Sequence, residues 1–437
     1  MRWFKYSVIL VGFLLLLAFL LPFMIPLNSY ISFLEKRASE KIGQPVKIAA
    51  LRFSLLPLPS VTAYGLGIGK EPQSKFETIT LRPALGSLFQ EVKVLRAVEV
   101  KGFQVNSHLL GFVGALAKPV SNEPSLIRLQ RIQLRAMQLD LEGLKWGPLR
   151  ADIELNEQGV QGIEAGSEDG KFKLNLTPGT PTQDVQISAK QWEIPLKTAL
   201  KFEQLIAQGQ LQKNTLNLSN IHGRLYAGKL QGKAIIDWSR GWKARGDLKI
   251  QNVETKEIVA LMTHSIGVSG KLDAQGSYRL HGKEPTQLLD GLSAQFKFEV
   301  RQGVLYGFDL AQAVKTLTRS GTRGGQTRFD ALSGTLIITG KQIQLRQLYV
   351  ASGVLSAHGN VNIAANKQLS GRINVALKGI AGLVDVPLDV SGTVSEPILL
   401  PNRAALAGAA AGTAILGPGF GTGMGSKAGQ ILENIFK

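Results

Sequence analysis

The sequence predicts a mainly β protein: an N-terminal transmembrane helix followed by an elongated, curved antiparallel β-sheet, forming a groove or a partly closed barrel or sandwich, with a few short helices. Three observations predict it. From Tyr6 to Leu27 the chain carries no charge, and Arg2 and Lys5 stand just before that run. From Gln44 onward apolar and polar residues alternate with a period of two, which places them on opposite faces of a pleated strand. The 437 residues include 48 glycines, as expected where strands bulge and bend.

The uncharged run is long enough to cross a hydrocarbon core of roughly 30 Å, which needs about 20 helical residues. Its basic flank belongs on the cytoplasmic side. Residues 1–27 therefore read as a membrane anchor with a short cytoplasmic N-terminus, its apolar stretch marked by Tyr6, Leu14, Leu20 and Leu27. A cleaved signal peptide is the competing reading. The run exceeds the roughly 7 to 15 residues of a signal core, and Pro22-Phe-Met-Ile-Pro26 offers no small-x-small cleavage site, which favours the anchor.

Residues 28–43 read as a juxtamembrane amphipathic helix. Ile31, Leu34, Ala38 and Ile42 recur at helical spacing, Asn28 or Ser29 serves as cap and Gly43 as stop. Residues 44–195 and 196–400 form an N-terminal and a C-terminal β region. In the second, Val384, Val386, Leu388 and Val390 alternate with Asp385, Pro387 and Asp389 as a strand with one dry face, and Pro387 argues for an edge position. Phe296, Phe298 and Val300 repeat the theme, as do Leu336 with Ile338, Val361 with Ile363, and Ile373, Val375 and Leu377. Many short strands in series imply an antiparallel meander.

Between Leu126 and Leu141 the apolar parity slips twice, which predicts β-bulges and a curved sheet. Helices are few: one or two turns over 285–292, and a helix capped by Asp309 with Leu310, Ala311, Val314 and Leu317 on one face before Gly321. Residues 401–437 form a Gly/Ala-rich tail with a short terminal helix, which either packs on the sheet or touches a membrane. Pro418 and the glycines argue against a second span.

The formal charge is +18, but Lys and Arg are scattered singly with no basic run interleaved with aromatics, which favours anionic lipid head groups over nucleic acid. With no cysteine there is no disulfide, thiolate metal site or cysteine nucleophile. No G-x-S-x-G, H-E-x-x-H, phosphate-loop or dinucleotide fingerprint occurs. The five histidines, His108, His222, His264, His281 and His358, lie far apart and read as turn or surface residues. Glu168-Asp169, framed by Gly166 and Gly170, reads as a solvated turn. Trp192, Trp238 and Trp242 read as core residues, with a membrane interface as the alternative. No enzyme activity, metal or cofactor is expected.

Several segments resemble the AsmA family of Gram-negative envelope proteins. At the N-terminal end these are the anchor, Ile42-Gly-Gln-Pro-Val46, Leu51-Arg-Phe-Ser-Leu-Leu-Pro-Leu-Pro-Ser-Val61, Gly65-Leu-Gly-Ile68 and Leu95-Arg-Ala-Val-Glu-Val100. At the C-terminal end they are Leu225-Tyr-Ala-Gly-Lys-Leu-Gln-Gly232, Gly303-Val-Leu-Tyr-Gly-Phe-Asp-Leu-Ala311, Thr327-Arg-Phe-Asp-Ala-Leu-Ser-Gly334 and Val390-Ser-Gly-Thr-Val-Ser-Glu-Pro397. The resemblance implies a single-pass inner-membrane protein with its bulk in the periplasm, acting in outer-membrane biogenesis and related to repeating β-groove lipid-transfer proteins.

Alternation with few helices to cover it independently leaves either a sandwich or an open groove, and a groove suits lipid. Its candidate lining is Phe296, Phe298, Val300, Leu336, Ile338, Ile373, Val375, Leu377, Val384, Val386, Leu388 and Val390. The expected function is binding and moving phospholipid along this groove; the alternative is a structural or assembly factor for outer-membrane components without lipid transfer. Expected partners are the inner membrane, phospholipid and other envelope proteins, with no nucleic acid.

Overall fold

The computed structural model describes residues 27–402 except 57, 70–73, 88, 106–126, 142–143, 180, 196–199, 261–266, 317–320 and 379–384. The anchor residues Tyr6, Leu14 and Leu20 and the tail from 403 onward lie outside the described residues. Leu27 opens a 3-10 turn, Leu27–Tyr30. No helix among the described residues is long and apolar enough to cross a membrane. The chain is mainly β and divides into two compact units, Met1–Ala189 and Lys190–Lys437.

The first unit opens with helix α1 (Ile31–Ile42), which ends where Gly43 adopts φ 74° and its N–H returns to the Ser39 carbonyl, the expected glycine stop. The expected caps are corrected. Tyr30 occupies the cap position without a side-chain bond, and the Asn28 Oδ1 accepts instead from Leu51 N–H at 3.1 Å. Leu34 and Ile42 are exposed, and the helix is held by polar groups. Glu35 Oε1 accepts the Ile48 N–H at 2.8 Å, and Ser39 Oγ accepts the Val46 N–H at 2.8 Å. Backbone donors left open beside a short strand are a stronger claim on the helix than two aliphatic side chains.

The strands of this unit are β1 (Val46–Lys47), β2 (Ala50–Ser54), β3 (Ser60–Ile68), β4 (Ser74–Pro83), β5 (Lys93–Val105), β6 (Ile127–Leu129), β7 (Arg131–Leu141), β8 (Leu144–Asn156), β9 (Gly159–Ser167), β10 (Phe172–Thr177) and β11 (Gln183–Glu193), the last crossing the boundary. β1 and β2 pair with β3, and β3, β4 and β5 follow as antiparallel neighbours. β6 and β7 then pair with β5 in parallel, which corrects the expected all-antiparallel meander. Parallel neighbours need a crossover of a dozen or so residues, and the connection through 106–126 has that length. From β7 to β11 the pairing is antiparallel.

The phase slip along β7 is a double register shift between Leu134, Met137 and Leu139, centred on Ala136 with φ 49°. Its freed N–H is accepted by Glu168 Oε1 at 2.7 Å, so the turn carrying Glu168-Asp169 clamps the bulge. The second unit repeats the device. Asn252 (φ 55°) donates its N–H to Asp273 Oδ1 at 2.7 Å, and Gln347 (φ 51°) donates to Asn360 Oδ1 at 2.9 Å. These bulges therefore fall on non-glycine residues, each paired with an acceptor side chain, from the turn after β9 for Ala136 and from the adjacent strand for Asn252 and Gln347.

The second unit contains β12 (Lys201–Gln212), β13 (Thr215–Leu225), β14 (Gly228–Asp237), β15 (Trp242–Glu254), α2 (Thr255–Ala260), β16 (Val268–Gly282), β17 (Ser293–Tyr306), α3 (Leu310–Thr316), β18 (Thr322–Arg323), β19 (Gln326–Thr339), β20 (Gln342–Ala351), β21 (Leu355–Ile363), β22 (Leu369–Leu377), β23 (Asp385–Gly392) and β24 (Pro397–Pro401). From β12 to β17 each strand pairs antiparallel with the next; β17 pairs with β19, and the run continues to β24. β24 then pairs with the short β18, Thr322 opposite Leu399 and Arg323 opposite Ile398.

Pro387 is not at an edge: β23 lies between β22 and β24. Its carbonyl accepts the Asn402 N–H at 3.2 Å, so its ring nitrogen faces the end of β24, and its pair with Asn374 on β22 is a non-hydrogen-bonded one. The missing N–H thus removes no bond from the β22 ladder. Nor does β23 have a single dry face, since Pro387 is fully buried opposite Val386 and Leu388. As expected, Asp309 Oδ1 caps α3 by accepting the Gln312 N–H at 2.8 Å, and a 3-10 turn forms at Pro285–Gln287.

Candidate functional site

The registers of the second unit align apolar residues into rows that cross the sheet. One row reads Ala207, Ile221, Gly232, Leu248, Gly276, Phe296, Leu336, Leu345 and Val361 from β12 to β21. Beside it runs Leu218, Ala234, Gly246, Tyr278, Ala294, Ile338, Ile343 and Ile363. Ile221, Leu248, Phe296, Leu336, Leu345 and Val361 are half-buried, each having neighbours within the sheet but remaining partly open.

Glycines in these rows lie under large neighbours. A Cβ on Gly276 would collide with the carbonyl of Gln295 and the backbone of Phe296, its register partner, and one on Gly246 would meet the Tyr278 hydroxyl. The face is therefore built of bulky side chains laid over bare backbone. Burial pushes the Tyr278 phenol above its usual value, with the Asp247 carboxylate adding to the shift.

The helices of this unit pack at the far ends of the strands. α2 begins beyond Val253, where the Thr255 hydroxyl donates to the Gly270 carbonyl at 2.9 Å. α3 is pinned where Thr327 Oγ1 accepts the Leu310 N–H at 3.0 Å. Under α3 lies a closed core that includes Val300, Phe329, Leu332, Val350, Leu355, Val375, Leu388 and Leu399. A smaller core gathers Phe202, Leu225, Leu230 and Val253, with Trp192 packed against it.

The twelve expected lining residues divide between these two environments. Phe296, Leu336 and Ile338 lie on the open rows. Val300, Ile373, Val375, Val386, Leu388 and Val390 are buried in the closed core, with Phe298 and Leu377 packed against it. Val384 lies outside the described residues. Sequence reasoning did not single out Ile221, Leu248, Ile343 or Leu345, although Leu248 and Ile250 flank Lys249 in the same alternating pattern; their place on the face depends on cross-strand register.

Among the described tryptophans none is fully buried, and Trp192 packs against the smaller core. Trp238 and Trp242 stack with centroids 5.8 Å apart at the β14–β15 turn. His222, His281 and His358 are exposed on strands, while His108 and His264 lie outside the described residues. Among the described residues, no group of three or more His, Asp or Glu side chains is placed to hold a metal ion.

Fold and face define a mainly β protein whose curved sheet carries half-buried apolar rows across its second unit. The sequence profile of the AsmA family matches residues 114–346, more than half of the chain, and the chain belongs to that family. No curated protein and no solved structure gives a significant match.

Proposed function

We propose that this chain is an inner-membrane-anchored envelope protein of outer-membrane biogenesis that binds phospholipid acyl chains along the apolar rows of its second unit and helps them cross the periplasm. The supporting observation is the continuity of half-buried Ile221, Leu248, Phe296, Leu336, Leu345 and Val361 across successive strands; Ile221 and Leu248 also touch the smaller core that Ile258 of α2 joins, and Val361 the larger one. Bare phospholipid in water exposes about 30 methylenes at ~0.8 kcal/mol each, a barrier near 25 kcal/mol that an apolar surface largely removes. The protein acts by binding, without covalent chemistry or a cofactor. Family membership is what favours the envelope over other settings.

The test is photo-crosslinking in cells with a benzophenone side chain at Leu248, at Leu345, and at Lys297 on the polar face. Phospholipid adducts at Leu248 and Leu345 but not at Lys297 are expected. Absence of lipid at both apolar positions would overturn the reading in favour of an assembly factor that works through protein contacts.

A further inference from the structure

Several cations on the polar face of the strands are matched by an acid across the strand. Arg131 pairs with Glu154 at 2.9 Å, Lys233 with Asp247 at 3.0 Å and Arg372 with Asp389 at 2.9 Å, each on its register partner; Lys271 meets Glu254 in the same way. Elsewhere cations face one another without such a match. On β15 and β16, Arg245 stands directly opposite Arg279, and Lys243 directly opposite His281. Like charges facing each other across strands are destabilising.

None of Lys243, Arg245 and Arg279 has an ion-pair partner among the described residues. Two acids stand close by, and Asp237, which lines the same hollow, feels the Lys243 charge. Asp247 holds Lys233, and Asp237 is tied into the turn, its Oδ1 accepting the Ser239 N–H and hydroxyl and its Oδ2 the Thr215 hydroxyl. The cations line an open hollow of about 730 Å³, which Arg240 joins from the β14–β15 turn. On the other side of the sheet, the same turn carries the stacked Trp238 and Trp242.

We propose that this end of the second unit docks on a bilayer surface bearing anionic phospholipid, with phosphates in the Arg245–Arg279 hollow and the tryptophan pair at the interface. Charge complementarity selects the occupant: unpaired cations held against their own repulsion gain most from closely spaced phosphates, and paired indoles suit the depth of the head groups. The inference deepens the lipid-binding reading and rests on it, because the hollow and the apolar rows share strands β14 to β16, so a docked tip brings the rows to a lipid source.

The test uses the full-length chain in phosphatidylcholine nanodiscs, floated with vesicles of phosphatidylcholine with or without phosphatidylglycerol. Binding is expected only with phosphatidylglycerol. Arg245→Ser with Arg279→Ser weakens it about 30-fold, at roughly fivefold for each cation lost. Arg279→Glu creates the missing cross-strand ion pair, so it leaves the thermal midpoint unchanged or raised while weakening the docking. Equal flotation with both vesicle types, no flotation with either, or wild-type binding by both variants would overturn the proposal. Lipid adducts at Leu248 report on the apolar rows separately: their loss alongside intact phosphatidylglycerol-dependent flotation counts against the rows, not the tip.

Discussion

Asp273 on β16 accepts the N–H of Asn252 on β15 at 2.7 Å, at the residue where β15 bulges with φ 55°. Arg301 on β17 closes the arrangement, reaching Asn252 Oδ1 at 2.7 Å and Asp273 Oδ2 at 2.8 Å. Three adjacent strands are thereby locked at one irregularity. Asp273→Ala leaves the Asn252 N–H without its partner and should lower stability by about 1–2 kcal/mol, read as a lower urea midpoint with unchanged m-value. An unaltered midpoint would show that water replaces the carboxylate without cost.

Gly276 lies on the apolar face where a Cβ would strike the Gln295 carbonyl. Gly276→Ala should therefore destabilise by about 1–3 kcal/mol through overpacking, although alanine is otherwise no worse in a strand. Chemical denaturation measures it. Gly353, whose Cβ would meet nothing within 4 Å, serves as the neutral comparison.

Leu388 is fully buried in the closed core, so Leu388→Ala should cost about 2–5 kcal/mol. Leu345→Ala on the open rows should cost clearly less, because its side chain is already half in water. Thermal unfolding of the pair distinguishes core from open surface. Equal losses would mean that the rows are as enclosed as the core.

Burial raises the Asp152 carboxyl, but hydrogen bonds from Arg135 and Gln133 outweigh it and hold the group below its usual value. A depressed carboxyl contributes stability that is present above the unfolded value of about 4 and is lost as pH falls through the folded one. Asp152→Asn should flatten the acid limb of the stability profile below about pH 4 while lowering stability at neutral pH. An acid limb unchanged in the variant would remove Asp152 from the account.

Removing Glu35 and Ser39 acceptors should release α1 from the strands beside it without unfolding the sheet. In Glu35→Ala with Ser39→Ala, the amides of Val46 and Ile48 should exchange faster with solvent while those of β13 to β17 keep their protection. Unchanged exchange at those two amides would mean that water or Lys47 holds the contact.

What could be read from the sequence follows the range of each interaction. Period-two alternation gave β17, β19 and β22, and Asp309 and Gly43 marked helix ends, because each is decided by neighbours a few residues away. The parity slips around Ala136 announced a bulge, but not the Glu168 that secures it from 32 residues further along the chain. The pattern in α1 pointed to Leu34 and Ile42, whereas Glu35 and Ser39 make the attachment, because unfilled donors on β1 and beyond are invisible in the helix itself. Pro387 suggested an edge only because the phase of its hydrogen bonding depends on a partner strand. The split of the twelve lining residues between open rows and closed core was likewise out of reach: both sets alternate identically, and only α3 and the return of β18 onto β24 separate them.

That return has a consequence for the margin of the sheet. Where Thr322 and Arg323 lie against Leu399 and Ile398, the outer side of β24 has its backbone partners within the same chain. That stretch is therefore closed to strand addition by another copy, a hazard that an unpaired terminal strand would carry.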